Sequence, residues 1–368
     1  MGEITTVVLT GGPCGGKTAA LGYLKKGLEA NGASVLVHSE TATALMNEGL
    51  TPESCGSYDF HAELFARQLK AEQELYEQAG RLEGKVVILL DRGLLDNRAY
   101  VSAEDFKCYA GQHGFDEDRL RSRYDAVFHL VSAAQGAEEH YSAKTNAVRS
   151  EDVELARRLD EDILALWVGA NHLRIIDNST DFEGKLQRLL RETLAAAGIP
   201  EPLEIERKFL IEYPDLELLN GMKLCRRVPI EQAYLTTPDE GRFRVRKRGE
   251  GEGAVYIKTV KHKLSDLRRI ELEAQISEAE YRGYLKRSDC VQGVIAKDRY
   301  CIAWGGRYYE LDVYPFWADR ATLELELLSE DEPYRLPDFV KLIREVSREK
   351  QYRNKQLSVI YKNLFIRG

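Results

Sequence analysis

The hydrophobic pattern of the chain changes once, near residue 200. Before that point, apolar runs alternate with helix-like runs. Residues 4–10 are apolar and β-branched, as a strand buried on both faces of a parallel sheet would be. Comparable runs predict strands at Ser34–His38, 85–90, 126–131 and Leu173–Ile176. Helices are predicted at Lys17–Ala30, about 60–79, 151–168 and 181–197. Strand and helix in alternation predict a doubly wound parallel sheet. The stretch 195–202, Ala-Ala-Ala-Gly-Ile-Pro-Glu-Pro, stops the last helix at Gly198, and Pro200 and Pro202 disfavour its continuation.

After the boundary the period becomes two. Glu204, Glu206 and Lys208 share one face of an extended segment, and Ile205 and Phe209 the other. The pattern recurs with Arg242, Arg244 and Arg246 against Phe243 and Val245. It continues in Lys258 of Val-Tyr-Ile-Lys-Thr, in Arg269, Glu271 and Glu273, in Lys297 and Arg299, in Asp312, and in Glu324 and Glu326. A wet sheet face with cross-strand ion pairs, each worth roughly a few tenths of a kcal/mol, has this pattern. So does a barrel whose charged faces line a lumen: about eight strands close around one small ligand. Bases there would grip a polyanion, and clustered carboxylates would hold Mg²⁺ or Mn²⁺.

These residues resemble the CYTH superfamily, the triphosphate tunnel metalloenzymes. The opening ExExK is Glu204-Ile205-Glu206-Arg207-Lys208. Later signatures match Arg244-Val245-Arg246, Lys258, Arg269 with Glu271 and Glu273, Lys297 with Arg299, Asp312 and Glu324-Leu325-Glu326, and the ending is similar at 352–357. The resemblance spans roughly 203–365 and implies an eight-stranded antiparallel tunnel that binds triphosphates with a divalent metal. It implies that Lys208, Arg244, Arg246, Lys258, Arg269, Lys297 and Arg299 neutralise phosphate. Glu204, Glu206, Glu324 and Glu326 would hold metal, with Glu271, Glu273 and Asp312 orienting bases or a second ion.

In the first half, Gly11-Gly12-Pro13-Cys14-Gly15-Gly16-Lys17-Thr18 follows the first strand and opens a helix, fitting GxxxxGK[ST]. Backbone N–H groups of such a loop wrap phosphate oxygens, and the helix N-terminus adds positive potential. Lys17 would reach the β- and γ-phosphates, and Thr18 would bind Mg²⁺. Asp91, at the carboxyl end of the third strand with Arg92 and Asp96 behind it, would hold that ion through water or cap the turn.

This half resembles P-loop kinases of the nucleoside- and ribosylnicotinamide-kinase type within the AAA_28 group. The resemblance puts Glu40 at the acceptor hydroxyl and Asp91 with Arg92 beside the phosphates. Glu40 serves equally as a solvated loop end or as a general base. The aperiodic stretch 133–150 reads as a lid, with Arg149, Arg157 and Arg158 as phosphate clamps. An exposed helix with a Glu154–Arg158 pair would use the same residues.

Composition narrows the reading further. The 368 residues suffice for two domains: 1–197, a linker at 198–202, and 203–368. The fold class expected is α/β plus α+β. A net charge of −8 argues against a nucleic-acid binder that works by phosphate neutralisation. Six scattered cysteines without metal-ligand spacing suggest a cytoplasmic setting, and no apolar run is long enough for a membrane span. Oligomeric state is not legible.

The expected function is a metal-dependent triphosphatase acting on small-molecule tripolyphosphate or nucleotide. It would be joined to an ATP- or GTP-binding P-loop unit with kinase character. A class IV-type adenylate cyclase and a non-catalytic polyphosphate or nucleotide sensor are the alternatives.

Overall fold

The computed structural model describes residues 3–136, 153–199, 203–237, 241–263, 268–287, 291–327 and 329–365, with side chains except at 203–204, 261–263, 268–272, 291–292 and 360–365. The chain forms two compact units, Met1–Pro200 and Glu201–Gly368.

In the first unit, β1 (Glu3–Thr10), β2 (Ser34–His38), β3 (Lys85–Asp91), β4 (Ala126–Leu130) and β5 (Leu173–Ile176) form a parallel sheet. Its order is β2-β3-β1-β4-β5. Helices Lys17–Ala30 and Phe182–Ala196 cover one face. Leu21, Leu24 and Leu28, spaced for a single helical stripe, pack with Leu186 and Leu189 on Val7, Leu9, Val87 and Phe128. Helix Ser57–Ala79 lies against β2 and β3. It buries Glu72, which accepts hydrogen bonds from Arg123 Nε (3.0 Å) and Tyr124 Oη (2.9 Å). Strand order reverses at β1, so the loop that follows it opens into the crevice where open α/β sheets bind ligands.

The second unit is antiparallel. Its strands are β6 (Leu203–Glu212), β7 (Cys225–Thr237), β8 (Gly241–Arg248), β9 (Val255–Lys263), β10 (Arg268–Ile276), β11 (Val291–Trp304), β12 (Arg307–Val313), β13 (Arg320–Leu327) and β14 (Leu342–Glu345). They run in the order β10-β9-β8-β7-β11-β12-β13-β6-β14, and β10 also pairs with β6 through Arg269↔Glu204. That pairing closes eight strands into a ring, and β14 is the ninth.

Most apolar side chains of the ring point outward. Ile205, Phe209 and Ile211 of β6 join Leu311, Leu323 and Leu325 in one outer core. Ala233, Leu235, Phe243 and Val245 join Tyr281 of helix Glu278–Lys286 in another. Ser277 and Glu280 cap that helix reciprocally. Helix Asn354–Phe365 sets Leu357 against Ile295 and Tyr314.

One element departs from the pattern of its residues. Residues 337–347 pattern as a helix, yet Leu342–Glu345 is strand β14, paired to β6 through Leu342↔Ile211 and Glu345↔Phe209. β10 covers only the first residues of β6, which leaves backbone groups farther along that edge for β14 to satisfy. Val340, Ile343 and Val346 suit the extended form. No helix among the described residues is long and apolar enough to cross a membrane.

Candidate active sites

The first site is the loop after β1. Gly11 has φ +128°, and a Cβ there would lie 2.3 Å from the Leu130 carbonyl oxygen, so glycine is required. The Lys17 ammonium is buried and donates to the Gly11 and Gly12 carbonyls, both at 2.8 Å. Thr18 is exposed at the start of the helix. Asp91 ends β3 beside Lys17; burial raises its pKa while Lys17 opposes, and its Oδ1 is buried without a hydrogen-bond partner among the described residues.

Arg92 takes φ +73°, a conformation costly for a side chain of its size. Its Nε lies 3.3 Å from Glu40 Oε1 and its guanidinium 5.8 Å from the Tyr100 ring. Burial would weaken its charge, but Tyr100, Asp96, Glu40 and Asp91 hold its pKa above the ordinary arginine value. Glu40 also accepts from Thr43 Oγ1 at 2.9 Å. Lys17, Asp91, Arg92 and Glu40 are therefore one constellation. Asp96 is not part of it. It accepts from Thr10 Oγ1 (2.5 Å), Trp167 Nε1 (2.8 Å) and Gly93 N (3.0 Å), which makes it a brace for the loop after β3.

Asp160 escaped the sequence reading. It sits on the buried stripe of helix Val153–Trp167 with Ala156, Ile163, Leu164 and Trp167. Its Oδ1 accepts from Gly12 N (2.6 Å) and Ser132 N (3.3 Å) and lies 3.3 Å from His129 Nε2. Burial alone would raise its pKa, but His129 and these donors hold it below the usual carboxylate value. An acid four residues past Ala156 on an apolar stripe was the available signal. The Glu154–Arg158 pair does form, at 3.4 Å on the exposed face, while Arg157 Nε donates to Ala134 O at 2.5 Å. Arg149 and most of the expected lid lie outside the described residues.

The second site is the inside of the ring. Register sets Lys208 opposite Glu324, Glu206 opposite Glu326, Glu310 opposite Glu324 and Arg299 opposite Asp312. Lys208 Nζ donates to Glu324 Oε1 at 2.6 Å. Arg299 Nη2 donates to Glu324 Oε2 at 2.7 Å, and Arg299 grips Asp312 with Nε and Nη2, each at 2.7 Å. Its Nη1 meets Glu310, and Lys297 Nζ meets Asp312 Oδ2. Burial pushes Lys297 down to about 8, with Arg299 adding to the shift and Asp312 opposing it. Burial would raise Asp312 and Glu324, but Arg299 with Lys297, and Lys208 with Arg299, hold both below their usual values.

On the β8 wall, Arg244 Nη2 donates to Glu273 Oε1 and Thr259 Oγ1, both at 3.1 Å. Arg246 Nε is buried without a hydrogen-bond partner among the described residues. Burial together with neighbouring Arg244 pulls this guanidinium down to about 10. Tyr234, opposite Arg244, accepts from Gln232 Nε2 at 3.0 Å.

Three expectations change. Lys258 does not face inward: it pairs with Val245, whose side chain is outside, and its ammonium lies 4.7 Å from the Phe243 ring and 3.1 Å from Tyr284 Oη. Its neighbour Thr259 takes the inner face. Lys258→Met is expected to change phosphate release by less than about two-fold, because the side chain packs under a helix by cation–π contact; a steady-state assay on a triphosphate checks this.

Asp312 is not placed as a metal ligand, since Lys297 and Arg299 occupy both its oxygens. Arg299 is enclosed by three carboxylates and so braces the wall instead of standing open to phosphate. Glu310, which supplies one of them, is an inward residue that the motif reading missed. The side chains of Glu204, Arg269 and Glu271 lie outside those described. Among the described residues no three His, Cys, Asp or Glu side chains converge as a metal site. The donor chemistry still suits a hard cation, since Glu206 and Glu326 are register partners on adjacent strands and offer carboxylate oxygens.

A parallel sheet with a glycine-rich loop of the P-loop type and a closed ring lined by paired acids and bases define a protein of two units. Residues 6–185 match the AAA domain family (AAA_28) and residues 202–359 the CYTH domain family, and the chain belongs to the CYTH family through its second unit. An inorganic triphosphatase from Nitrosomonas europaea is 34% identical over 159 residues, which are 42% of this chain and 97% of that protein. A crystal structure of an inorganic triphosphatase is 31% identical, covering 42% of this chain and 94% of that one, with a TM-score of 0.29. A conserved hypothetical protein from Pyrococcus furiosus is 23% identical over 33% of this chain and 78% of its own, with a TM-score of 0.26.

Proposed function

We propose that the CYTH unit is a divalent-metal-dependent triphosphatase that cuts the terminal phosphoanhydride bond of inorganic tripolyphosphate or a nucleoside triphosphate. The observation that carries this reading is the unequal charge of the two walls. On β6, β11, β12 and β13, acids and bases largely neutralise one another, whereas on β8 the buried Arg246 Nε has no acceptor among the described residues. A polyanion laid along β8 would offer Arg246 Nε an acceptor.

In this reading Arg244 and Arg246 take up phosphate charge, and Lys208, Lys297 and Arg299, held by Glu324, Asp312 and Glu310, keep the facing wall rigid. Glu206 and Glu326, with Glu204 two positions on, would hold Mg²⁺ or Mn²⁺, which when bound polarises the phosphoryl group and acidifies water. A water oxygen attacks the terminal phosphorus, the bond to the bridging oxygen breaks, and diphosphate or a nucleoside diphosphate leaves. Arg246 is placed to stabilise the charge that develops on the oxygens.

The P-loop unit, in the same proposal, binds ATP or GTP with Mg²⁺ through Gly11–Thr18 and Asp91. Glu40, oriented by Arg92, faces an acceptor hydroxyl as general base. A cytoplasmic enzyme with small-molecule substrates fits both sites.

The test is phosphate release from tripolyphosphate, ATP and GTP with Mg²⁺ or Mn²⁺, comparing wild type with Arg246→Ala and Lys17→Ala. Arg246→Ala is expected to reduce kcat/KM for tripolyphosphate by about 10²–10³-fold, the cost of one preorganised charge donor. Loss on Lys17→Ala with Arg246→Ala fully active would place hydrolysis in the other unit and refute the assignment.

A further inference from the structure

Phe182 is an anomaly in the first unit. Phe60, Phe65, Phe106 and Phe128 there are at most 3% exposed, whereas Phe182 is 48% exposed. It is the first residue of helix Phe182–Ala196, and its ring lies against the phosphate loop: a Cβ at Gly16 would be 2.6 Å from Phe182 Cε2 and 3.0 Å from Cζ. Gly16 immediately precedes Lys17.

The segment that carries the ring is pinned. Asn178 Nδ2 donates to Ser132 O (2.9 Å) and Gln135 O (2.7 Å), and buried Lys185 donates to Val131 O and Asn178 Oδ1, both at 2.7 Å. Arg188 holds Asp177 through Oδ1 and O, each at 2.7 Å. A half-exposed aromatic face is thus fixed against Gly16 of the phosphate loop, beside the groups that would cradle a nucleotide's phosphates. Aromatic faces stack any nucleobase, because every base has a π-face.

We propose that Phe182 is the stacking platform for the base of the P-loop nucleotide, so that the first unit takes base-bearing triphosphates in preference to inorganic tripolyphosphate. This rests on the P-loop reading above and adds the part of the ligand that the phosphate loop does not touch. It also divides the work of the chain, with one triphosphate site that reads a base and one lined for phosphate alone.

The experiment is calorimetric titration of the full-length chain with ATP and, separately, with tripolyphosphate. Lys17→Ala defines the contribution of the P-loop to each isotherm. Phe182→Leu is expected to weaken Lys17-dependent ATP binding by about 10-fold and tripolyphosphate binding by less than about two-fold, with Phe182→Trp restoring ATP binding. Equal weakening of both ligands would mean that the ring only packs on the loop, and no weakening of either would mean that it does neither; both results overturn the proposal. If ATP binding has no Lys17-dependent component at all, the P-loop reading itself fails and this proposal falls with it.

Discussion

Arg299→Ala is expected to destabilise the C-terminal unit by about 3–5 kcal/mol, the usual cost of breaking a buried charge network from one side. The side chain is buried and contacts Asp312, Glu324 and Glu310 together. Removing it leaves buried carboxylates facing each other across β12 and β13, where Glu310 and Glu324 are register partners. Arg299→Lys retains the charge but loses the fork that grips Asp312 at two atoms, so an intermediate loss is expected. Urea unfolding with an unchanged m-value reads both.

The pH dependence has a definite sign. Arg299 and its neighbours hold Asp312 and Glu324 below their ordinary values in the folded state. Their stabilisation is therefore present above the unfolded carboxylate pKa and is lost as pH falls through the lower folded values. Without Arg299, burial acts on the same groups with less opposition, and their folded pKa values rise. The stability gap between wild type and variant should accordingly narrow as pH drops from neutral to below about 4. A gap that stays constant with pH would mean that Arg299 contributes by packing alone.

The parallel sheet was readable from the pattern of the chain, because a continuous apolar run that ends in a glycine-rich loop and a helix has few structural solutions. Strands with one charged and one apolar face fit a wet sheet as well as a ring, and the motifs that resemble the CYTH family were what implied the ring. What the pattern could not supply was register. In Val-Tyr-Ile-Lys-Thr the alternation admits two choices, Tyr256 and Lys258 inward or Ile257 and Thr259 inward. Charge favours the first, but the rings of Phe243 and Tyr284 make an outward Lys258 comfortable, and the second is what forms. Glu310 was open to the same reasoning as Asp312, two positions away on the same face, but it lies outside the motif. Asp160 and β14 depend on partners distant in sequence: the backbone of Gly12 in one case and the remaining edge of β6 in the other.

Mg²⁺ or Mn²⁺ is expected to raise the melting temperature of the C-terminal unit, and Glu206→Gln with Glu326→Gln to abolish the rise. The two carboxylates are register partners on β6 and β13, and a hard cation would take oxygen ligands from both. Metal at about 100 times its Kd adds about 2.7 kcal/mol to the folded state. For a unit of this size that corresponds to about 5–10 °C. The same double substitution should reduce phosphate release from tripolyphosphate by about 10³-fold, since the charge stabilisation supplied by such an ion is worth several kcal/mol. The two measurements constrain each other. Activity lost while the metal-dependent shift persists would put the cation on other residues and leave this pair a role in binding substrate. A shift lost together with activity assigns the ion to this pair of strands, with Arg246 on β8 left to hold the phosphate.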